Sequence, residues 1–213
     1  MNIPIIGPGN MGRAIGRRAV AAGHSVTFVG RTPEHTQDAI NDVKSAAKNG
    51  AQVSTANLEN VNPGDIVVLA LPYNTSNDVT RQLGNKLAGK TVVDISNPLN
   101  ASYSDLATAP GSSAAEELAR ILPETKVVKA FNTVFAGTLR SGRVDGEPLD
   151  IWIAGDDANA KNKLAQLVKD AGMRPIDAGP LSRARQIEAM QLLHIVTQGT
   201  LGTNWGSAIK VLG

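Results

Sequence analysis

The feature that most constrains the fold is a G-x-G-x-x-G pattern over residues 7–12. It follows a short apolar run from Ile3 to Ile6 and opens a stretch of helical periodicity that extends to Ala22. In a strand–turn–helix unit, the first glycine allows a tight turn, the second lets the backbone approach a pyrophosphate, and the third lets the helix pack on the strand. The pattern therefore predicts dinucleotide binding at the helix N-terminus, with a purely structural glycine turn as the alternative. The predicted contacts are Gly7, Gly9, Asn10, Met11 and Gly12.

The residues after the second apolar run indicate which dinucleotide is bound. An NAD site usually places Asp or Glu roughly 20 residues beyond the glycines to hold the ribose 2′-hydroxyl. Here the chain reads Val29, Gly30, Arg31 and Thr32, without an acid. Because a guanidinium and a hydroxyl suit a 2′-phosphate, NADPH is the predicted cofactor and Gly30, Arg31 and Thr32 are predicted ligands. In the alternative reading, Arg31 is solvated and Thr32 only caps the next helix.

Short β-branched runs alternate with helical stretches, which predicts an α/β fold with a doubly wound, mostly parallel sheet of the Rossmann type. The run after Asp65 shows no polar alternation, as expected of a central strand buried on both faces. Residues 1–180 are predicted to form the NADP-binding domain and residues 181–213 a short helical tail. The predicted strands are Ile3–Ile6, Ser25–Val29, Asp65–Ala70, Thr91–Asp94, Lys126–Ala130 and Ile151–Ala154, with a weaker edge strand Gln52–Ser54.

Three further strand ends are predicted to reach the same edge of the sheet. In an open α/β sheet, the ligand crevice lies outside the carboxyl ends of the strands. Asn132 and Thr133, after the Lys126 strand, are predicted to hold the nicotinamide carboxamide or the substrate, with a local helix cap as the alternative. The remaining predicted cofactor contacts are Leu71, Pro72, Tyr73, Ser96, Asn97, Pro98 and Ala130. For the two prolines the alternative is that they only terminate strands.

Candidates for a proton donor are few. Neither Tyr73 nor Tyr103 has Lys four residues later, His24 precedes the second strand, and His35 lies in the helix beside the adenosine. His194, on a partly apolar helix, is expected to be a packed side chain. No catalytic acid is therefore predicted, and an acceptor that takes hydride without one, such as a flavin or deazaflavin, fits better than a carbonyl. A non-catalytic NADPH sensor and a reductase of a small carbonyl or imine remain the alternatives.

Composition argues against several other classes of function. The chain has no cysteine, and its three histidines lack metal-ligand spacing, so no metal site is predicted. The 21 basic and 19 acidic residues are dispersed and aromatic residues make up only 3%, which argues against nucleic-acid binding. The longest apolar run, Ile66 to Pro72, is far shorter than the roughly 20 residues of a membrane span. No secretory signal pattern opens the chain, so a cytoplasmic location is expected.

Four segments resemble the NADPH-dependent coenzyme F420 reductase family: residues 7–12, Gly30 and Arg31, residues 129–133 and residues 177–181. The resemblance covers essentially the whole chain. It extends to the cytosolic NADPH-binding domain of the STEAP metalloreductases, which is similar around residues 130–133 but is fused to membrane helices absent here. The resemblance implies direct hydride transfer from the nicotinamide to FMN, FAD or F420, usually by a homodimer. Archaeal members that reduce the deazaflavin carry His at the position of Asn132, so the acceptor stays open.

The tail supplies a separate reason to expect a homodimer. From Ile187 to Leu212 it is too short to form a domain but carries several large apolar side chains that must be covered. The alternative is that the tail packs on its own sheet, either over the site or beside it.

Overall fold

The computed structural model describes residues 1–212 and contains one large sheet flanked by helices. The eight strands of this sheet run in the order β10-β9-β6-β5-β4-β1-β2-β3, and a two-stranded hairpin of β7 and β8 lies apart from it. The strands are β1 (Asn2–Ile6), β2 (Ser25–Val29), β3 (Val53–Ala56), β4 (Ile66–Leu69), β5 (Thr91–Asp94), β6 (Lys126–Lys129), β7 (Arg143–Val144), β8 (Glu147–Pro148), β9 (Asp150–Gly155) and β10 (Arg174–Gly179).

Eight α-helices connect and flank the strands among the described residues. The Ser113 side chain caps the helix that follows it by accepting a hydrogen bond from the Glu116 amide, and its hydroxyl also donates to the Glu116 carboxylate. The helices are α1 (Asn10–Ala21), α2 (Pro33–Lys44), α3 (Tyr73–Leu83), α4 (Ala114–Ile121), α5 (Ala136–Ser141), α6 (Ala158–Asp170), α7 (Ala184–Val196) and α8 (Gln198–Leu201). None of the helices in the described part of the chain is long and apolar enough to cross a membrane.

The predicted doubly wound α/β fold is confirmed, because apolar cores lie on both faces of the sheet. One core joins α1, α2, α5 and α6 to the strands, and the other joins α3 and α4 to the opposite face. The strand β4 shows why its sequence lacks alternation: Ile66 and Val68 enter the first core, while Val67 and Leu69 enter the second. Both faces of this central strand are therefore dry, as in other parallel sheets.

Several details of the sheet differ from the sequence expectations. The strand β9 pairs antiparallel with β6, and β10 was not predicted because its partly polar sequence lies at the sheet edge. The strand β6 ends at Lys129 rather than Ala130, and two residues later Phe131 adopts a left-handed backbone (φ +62°) that turns the chain away from the sheet.

The C-terminal tail is helical and packs partly on its own sheet layer. The helix α7 contacts α4, and its buried positions are Ala184, Ile187, Glu188, Gln191 and His194. The side chains of Leu193 and Trp205 remain 64% and 50% exposed. The homodimer stays a prediction, since the single chain covers only part of the apolar tail.

Candidate active site

Each of the three glycines in the N-terminal pattern is needed for a different local reason. Gly7 has φ +105°, and a Cβ there would lie 2.2 Å from the Ala70 carbonyl oxygen. A Cβ on Gly12 would lie 2.1 Å from the Gly7 carbonyl oxygen, so this glycine allows the helix to approach the turn. A Cβ on Gly9 would meet no atom within 4 Å, which means that the space beside Gly9 is left free for a ligand.

A cleft of about 810 Å³ extends from the glycine turn to the end of β2. Arg13, which the sequence analysis missed, donates a hydrogen bond from Nε to the Pro8 carbonyl oxygen at 2.8 Å and lines the cleft. Arg31 and His35 line its outer part, and the loop after β3 contributes Glu59. The donor set fits the diphosphate and 2′-phosphate of NADP, because the free N–H groups of the first turn of α1 adjoin two guanidinium groups. The predicted residues that line this cleft are Gly7, Gly9, Gly30, Arg31, Leu71 and Pro72.

Several predicted cofactor contacts lie outside the lining of this cleft. Thr32 Oγ1 accepts a hydrogen bond from the His35 amide and caps α2, and Asn10 is exposed at the start of α1. The Tyr73 hydroxyl donates to the Glu117 carboxylate on α4. Burial, together with Glu117, raises the pKa of Tyr73 to about 12. Met11, by contrast, points to the other side of the helix start.

A second cavity, of about 790 Å³, lies at the carboxyl ends of β5 and β6. Since Met11 lines it while Gly9 and Arg13 line the first cleft, the two spaces flank the first turn of α1. No charged side chain is among the lining residues, and most of them are apolar. They are Met11, Ile95, Asn97, Tyr103, Asn132, Val134, Phe135, Ala136, Gln191, Ile195, Val196 and Trp205.

Two asparagines join the ends of the neighbouring strands in this cavity. Asn132 Nδ2 donates to Asn97 Oδ1 at 3.0 Å, and Asn97 Nδ2 donates to the Asn132 carbonyl oxygen at 3.1 Å. The left-handed turn at Phe131 lies directly before Asn132, and such strain at a non-glycine residue often marks a functional site. Asn132 is 2% exposed, and its Oδ1 has no hydrogen-bond partner in residues 1–212. This oxygen is therefore available to accept a hydrogen bond from a ligand.

The other predicted residues of these strand ends are buried and do not line the cavity. Ala130 belongs to the core, and Pro98 is buried in the loop after β5. Ser96 uses its backbone, accepting a hydrogen bond from Lys129. Thr133 is 1% exposed, and its Oγ1 has no partner within the described residues. The structure thus brings Asn97 and Asn132 together at the cavity, whereas Thr133 is buried and does not line it.

Directly behind this cavity lies a buried charge cluster that the sequence analysis missed. Lys129 Nζ donates to Asp94 Oδ2 at 2.7 Å and to the Ser96 carbonyl oxygen at 2.6 Å. Glu188 Oε1 lies 2.8 Å from the same Nζ, an ion pair outside hydrogen-bond geometry, and Glu188 Oε2 accepts from the Ala114 amide. The available signal was Glu188 itself, a carboxylate between Ile187 and Gln191 on the buried face of α7, which requires a partner.

The cluster holds opposite charges in a dry environment. Burial lowers the pKa of Lys129, but the carboxylates of Asp94 and Glu188 outweigh burial and leave the pKa raised. Burial also raises the pKa of Glu188, against the opposing effect of Lys129. Through Ser96 and α7, these contacts fix both the strand end that carries Asn97 and the helix that carries Gln191.

The three histidines lie where the sequence analysis expected them. His24 contacts the Met1 amino group and Asp170, at the opposite end of the sheet, and His35 lies in the first cleft. His194 is 7% exposed, packs against the Phe135 ring and does not line the cavity. Burial lowers the pKa of His194, so this side chain is neutral near pH 7.

Comparison with protein families gives a match over residues 2–98 to the family described as NADP oxidoreductase, coenzyme F420-dependent. The chain is 34% identical over 207 residues to the F420-dependent NADP reductase of Methanocaldococcus jannaschii, covering 92% of this chain and 91% of the relative. It is 32% identical over 190 residues to the metalloreductase STEAP3 of Rattus norvegicus, covering 89% of this chain. The chain spans only 36% of the length of that metalloreductase.

Among solved structures, the fold is similar to a protein of Arthrobacter sp. FB24 with a provisional assignment as an F420-dependent NADP reductase. The TM-score is 0.85 at 30% sequence identity, and 99% of each chain is covered. The match therefore includes the helical tail as well as the sheet.

Proposed function

This chain belongs to the family of coenzyme F420-dependent NADP oxidoreductases, and we propose that it transfers hydride between NADP(H) and a flavin or deazaflavin ring. The observation that carries the proposal is the pair of spaces that flank the first turn of α1. One is lined by Arg13 and Arg31 and suits the phosphates of a dinucleotide. The other is apolar, uncharged and large enough for stacked aromatic rings.

The residues of the first cleft would hold the cofactor from its adenosine to its pyrophosphate. The N–H groups at the start of α1 donate to the pyrophosphate, which Gly9 admits because it has no side chain. Arg31 binds the 2′-phosphate, with His35 beside it. When bound, NADPH supplies the hydride; Asn132 Oδ1 accepts a hydrogen bond from the carboxamide, and the apolar lining excludes water. Asn97 keeps Asn132 in place.

The reaction needs no essential acid from the protein in this proposal. No titratable side chain other than Tyr103 lines the second cavity within residues 1–212, and Tyr103 is 62% exposed at its edge. A flavin-type ring accepts hydride directly, so the protein contributes position, which supplies several kcal/mol of barrier reduction. We also propose a homodimer, supported by the exposed apolar side chains of the tail.

The main experiment supplies NADPH with a panel of FMN, FAD, F420, quinones and ferric chelates, and follows the loss of reduced nicotinamide by absorbance. We expect turnover with isoalloxazine or deazaflavin acceptors and a preference for NADPH over NADH. NADPH binding without turnover of any acceptor would instead favour the sensor. Turnover only with small carbonyl or imine compounds would show that the acceptor belongs to that class and is not a flavin or deazaflavin.

The cofactor assignment has its own test in Arg31→Ala. Losing a charge-assisted hydrogen bond costs about 1.5 to 3 kcal/mol, so the dissociation constant of NADPH should rise roughly tenfold to hundredfold. NADH, which has no 2′-phosphate, should bind as tightly to the variant as to the wild type. Titration calorimetry measures both cofactors. An equal loss for both would show that Arg31 supports the fold or the pyrophosphate instead.

A further inference from the structure

A chain of polar side chains runs beneath the second cavity, on its α7 side. His194 Nδ1 lies 3.2 Å from Gln191 Oε1, and His194 Nε2 lies 2.8 Å from Ser207 Oγ. Gln198 Nε2 donates to Ser207 Oγ at 3.0 Å and to the His194 carbonyl oxygen at 2.9 Å. The His194 carbonyl oxygen can only accept and so fixes the orientation of the Gln198 amide, whose Oε1 accepts from Thr203 Oγ1 at 2.9 Å.

The contact with Gln191 decides the tautomer of His194. Gln191 Oε1 can only accept, so His194 Nδ1, 3.2 Å away, is the donor, and His194 Nε2 is left to accept from the Ser207 hydroxyl at 2.8 Å. Neutral His194 then carries its proton on Nδ1 and donates it to Gln191 Oε1. The His194 ring is held in place by Phe135, whose ring centroid lies 4.6 Å away. The direction of each hydrogen bond in the chain is therefore defined.

This arrangement leaves the Gln191 amide donor at the cavity. Gln191 is 1% exposed and lines the cavity, its Oε1 is used by His194, and its Nε2 has no acceptor within the described residues. Asn132 Nδ2 donates to Asn97 Oδ1 and to the Ile187 carbonyl oxygen, Asn97 Nδ2 donates to the Asn132 carbonyl oxygen, and Asn132 Oδ1 is left as an acceptor. Since the lining has no charged group, a ligand recognised here presents a neutral hydrogen-bond acceptor rather than an anion.

We propose that Gln191 Nε2 recognises a carbonyl oxygen on the edge of the electron acceptor, and that His194 is a positioning residue that orients the Gln191 amide. The inference rests on the proposed function, because it concerns the acceptor of that same reaction. It selects, among planar acceptors, those that carry a neutral carbonyl edge, such as the dione ring of an isoalloxazine. His194 transfers no proton to the acceptor.

The test compares two acceptors with a ring system of similar width. Riboflavin carries the dione edge, whereas phenazine methosulfate has no carbonyl group; its direct reduction by NADPH without the protein is measured and subtracted. The variant Gln191→Met keeps the side-chain length and removes the amide, and Gln186→Met makes the same change on the exposed face of α7. For Gln191→Met we expect the KM for riboflavin to rise about tenfold, the size of one buried hydrogen bond. The constants for phenazine methosulfate, the Kd of NADPH and all constants of Gln186→Met should stay unchanged.

The role of His194 is tested in the same assay. His194→Ala should raise the KM for riboflavin several-fold, and His194→Asn should restore it, because the Asn amide can donate from the position of Nδ1. A kcat that falls while KM stays constant would overturn the positioning role.

The outcomes separate this inference from the proposed function. If Gln191→Met reduces riboflavin as well as the wild type does, or loses activity with both acceptors equally, the inference is wrong while the proposed function stands. If the wild type reduces neither riboflavin nor F420 in the presence of NADPH, the proposed acceptor class and this inference both fall.

Discussion

Replacing Lys129 with Met tests whether the buried charge cluster holds the active site together. The ammonium group makes two short hydrogen bonds, to Asp94 and to the Ser96 carbonyl oxygen, and an ion pair with Glu188. Methionine has a similar length but no charge, so Lys129→Met leaves two buried carboxylates facing each other. The variant should therefore be much less stable than the wild type at neutral pH.

The burial of the cluster sets the size of this effect. The side chains of Lys129, Asp94 and Glu188 are at most 2% exposed, so solvent and salt screen them little. Removing one partner of a buried pair costs about 3–5 kcal/mol of unfolding free energy. In a protein of this size each kcal/mol lowers Tm by about 2–4 °C, which gives a fall of about 6–20 °C. Urea unfolding and thermal melts followed by circular dichroism measure both quantities.

The deficit of Lys129→Met should depend on pH in a defined direction. Burial already raises the pKa of Glu188 in the wild type, and loss of Lys129 removes the charge that opposes this rise. For a carboxyl with a raised folded pKa, stability is fully present below the unfolded pKa and is lost as pH rises through the folded value. The destabilisation should therefore be smaller at roughly pH 5 than at roughly pH 8.

Lys163→Met is the matched control, because Lys163 is an exposed lysine on α6. It should change the unfolding free energy by less than about 0.5 kcal/mol at either pH. A Lys129→Met protein as stable as the wild type at pH 8, or one whose deficit grows in acid, would refute the reasoning.

Three further predictions concern the cofactor, the acceptor and the assembly. Gly9→Val should abolish NADPH binding in calorimetry without lowering Tm. Gly12→Val should lower Tm, because its Cβ would collide with the Gly7 carbonyl oxygen. If Gly9→Val still binds NADPH, the glycine turn is not part of the cofactor site. Asn132→Ala should slow turnover by misplacing one ring, and a hundredfold fall for His194→Ala, with folding and NADPH affinity intact, would instead indicate a proton donor. Light scattering should give twice the 22.2 kDa chain mass, and a monomer at micromolar concentration would contradict the homodimer.

Much of the fold could be predicted because its signals are local. The glycine spacing over residues 7–12 requires a strand before it and a helix after it, and an unalternating run such as Ile66–Leu69 requires burial on both faces. The edge strand β3 was also recognisable. In contrast, β10 and the antiparallel pairing of β9 with β6 carry no local signal, because the direction of a strand depends on what it pairs with.

The candidate site divides in the same way. The sequence by itself determined the glycine turn before α1 and the basic residue after β2, because both are set by consecutive residues. Only the tertiary structure brought Asn97 to Asn132, which are 35 residues apart, and joined Glu188 on α7 to the amide at the start of α4, 74 residues earlier. Such pairings depend on which strand ends and helices become neighbours after folding, and a buried charge reveals its partner only when the elements that carry both groups have packed together.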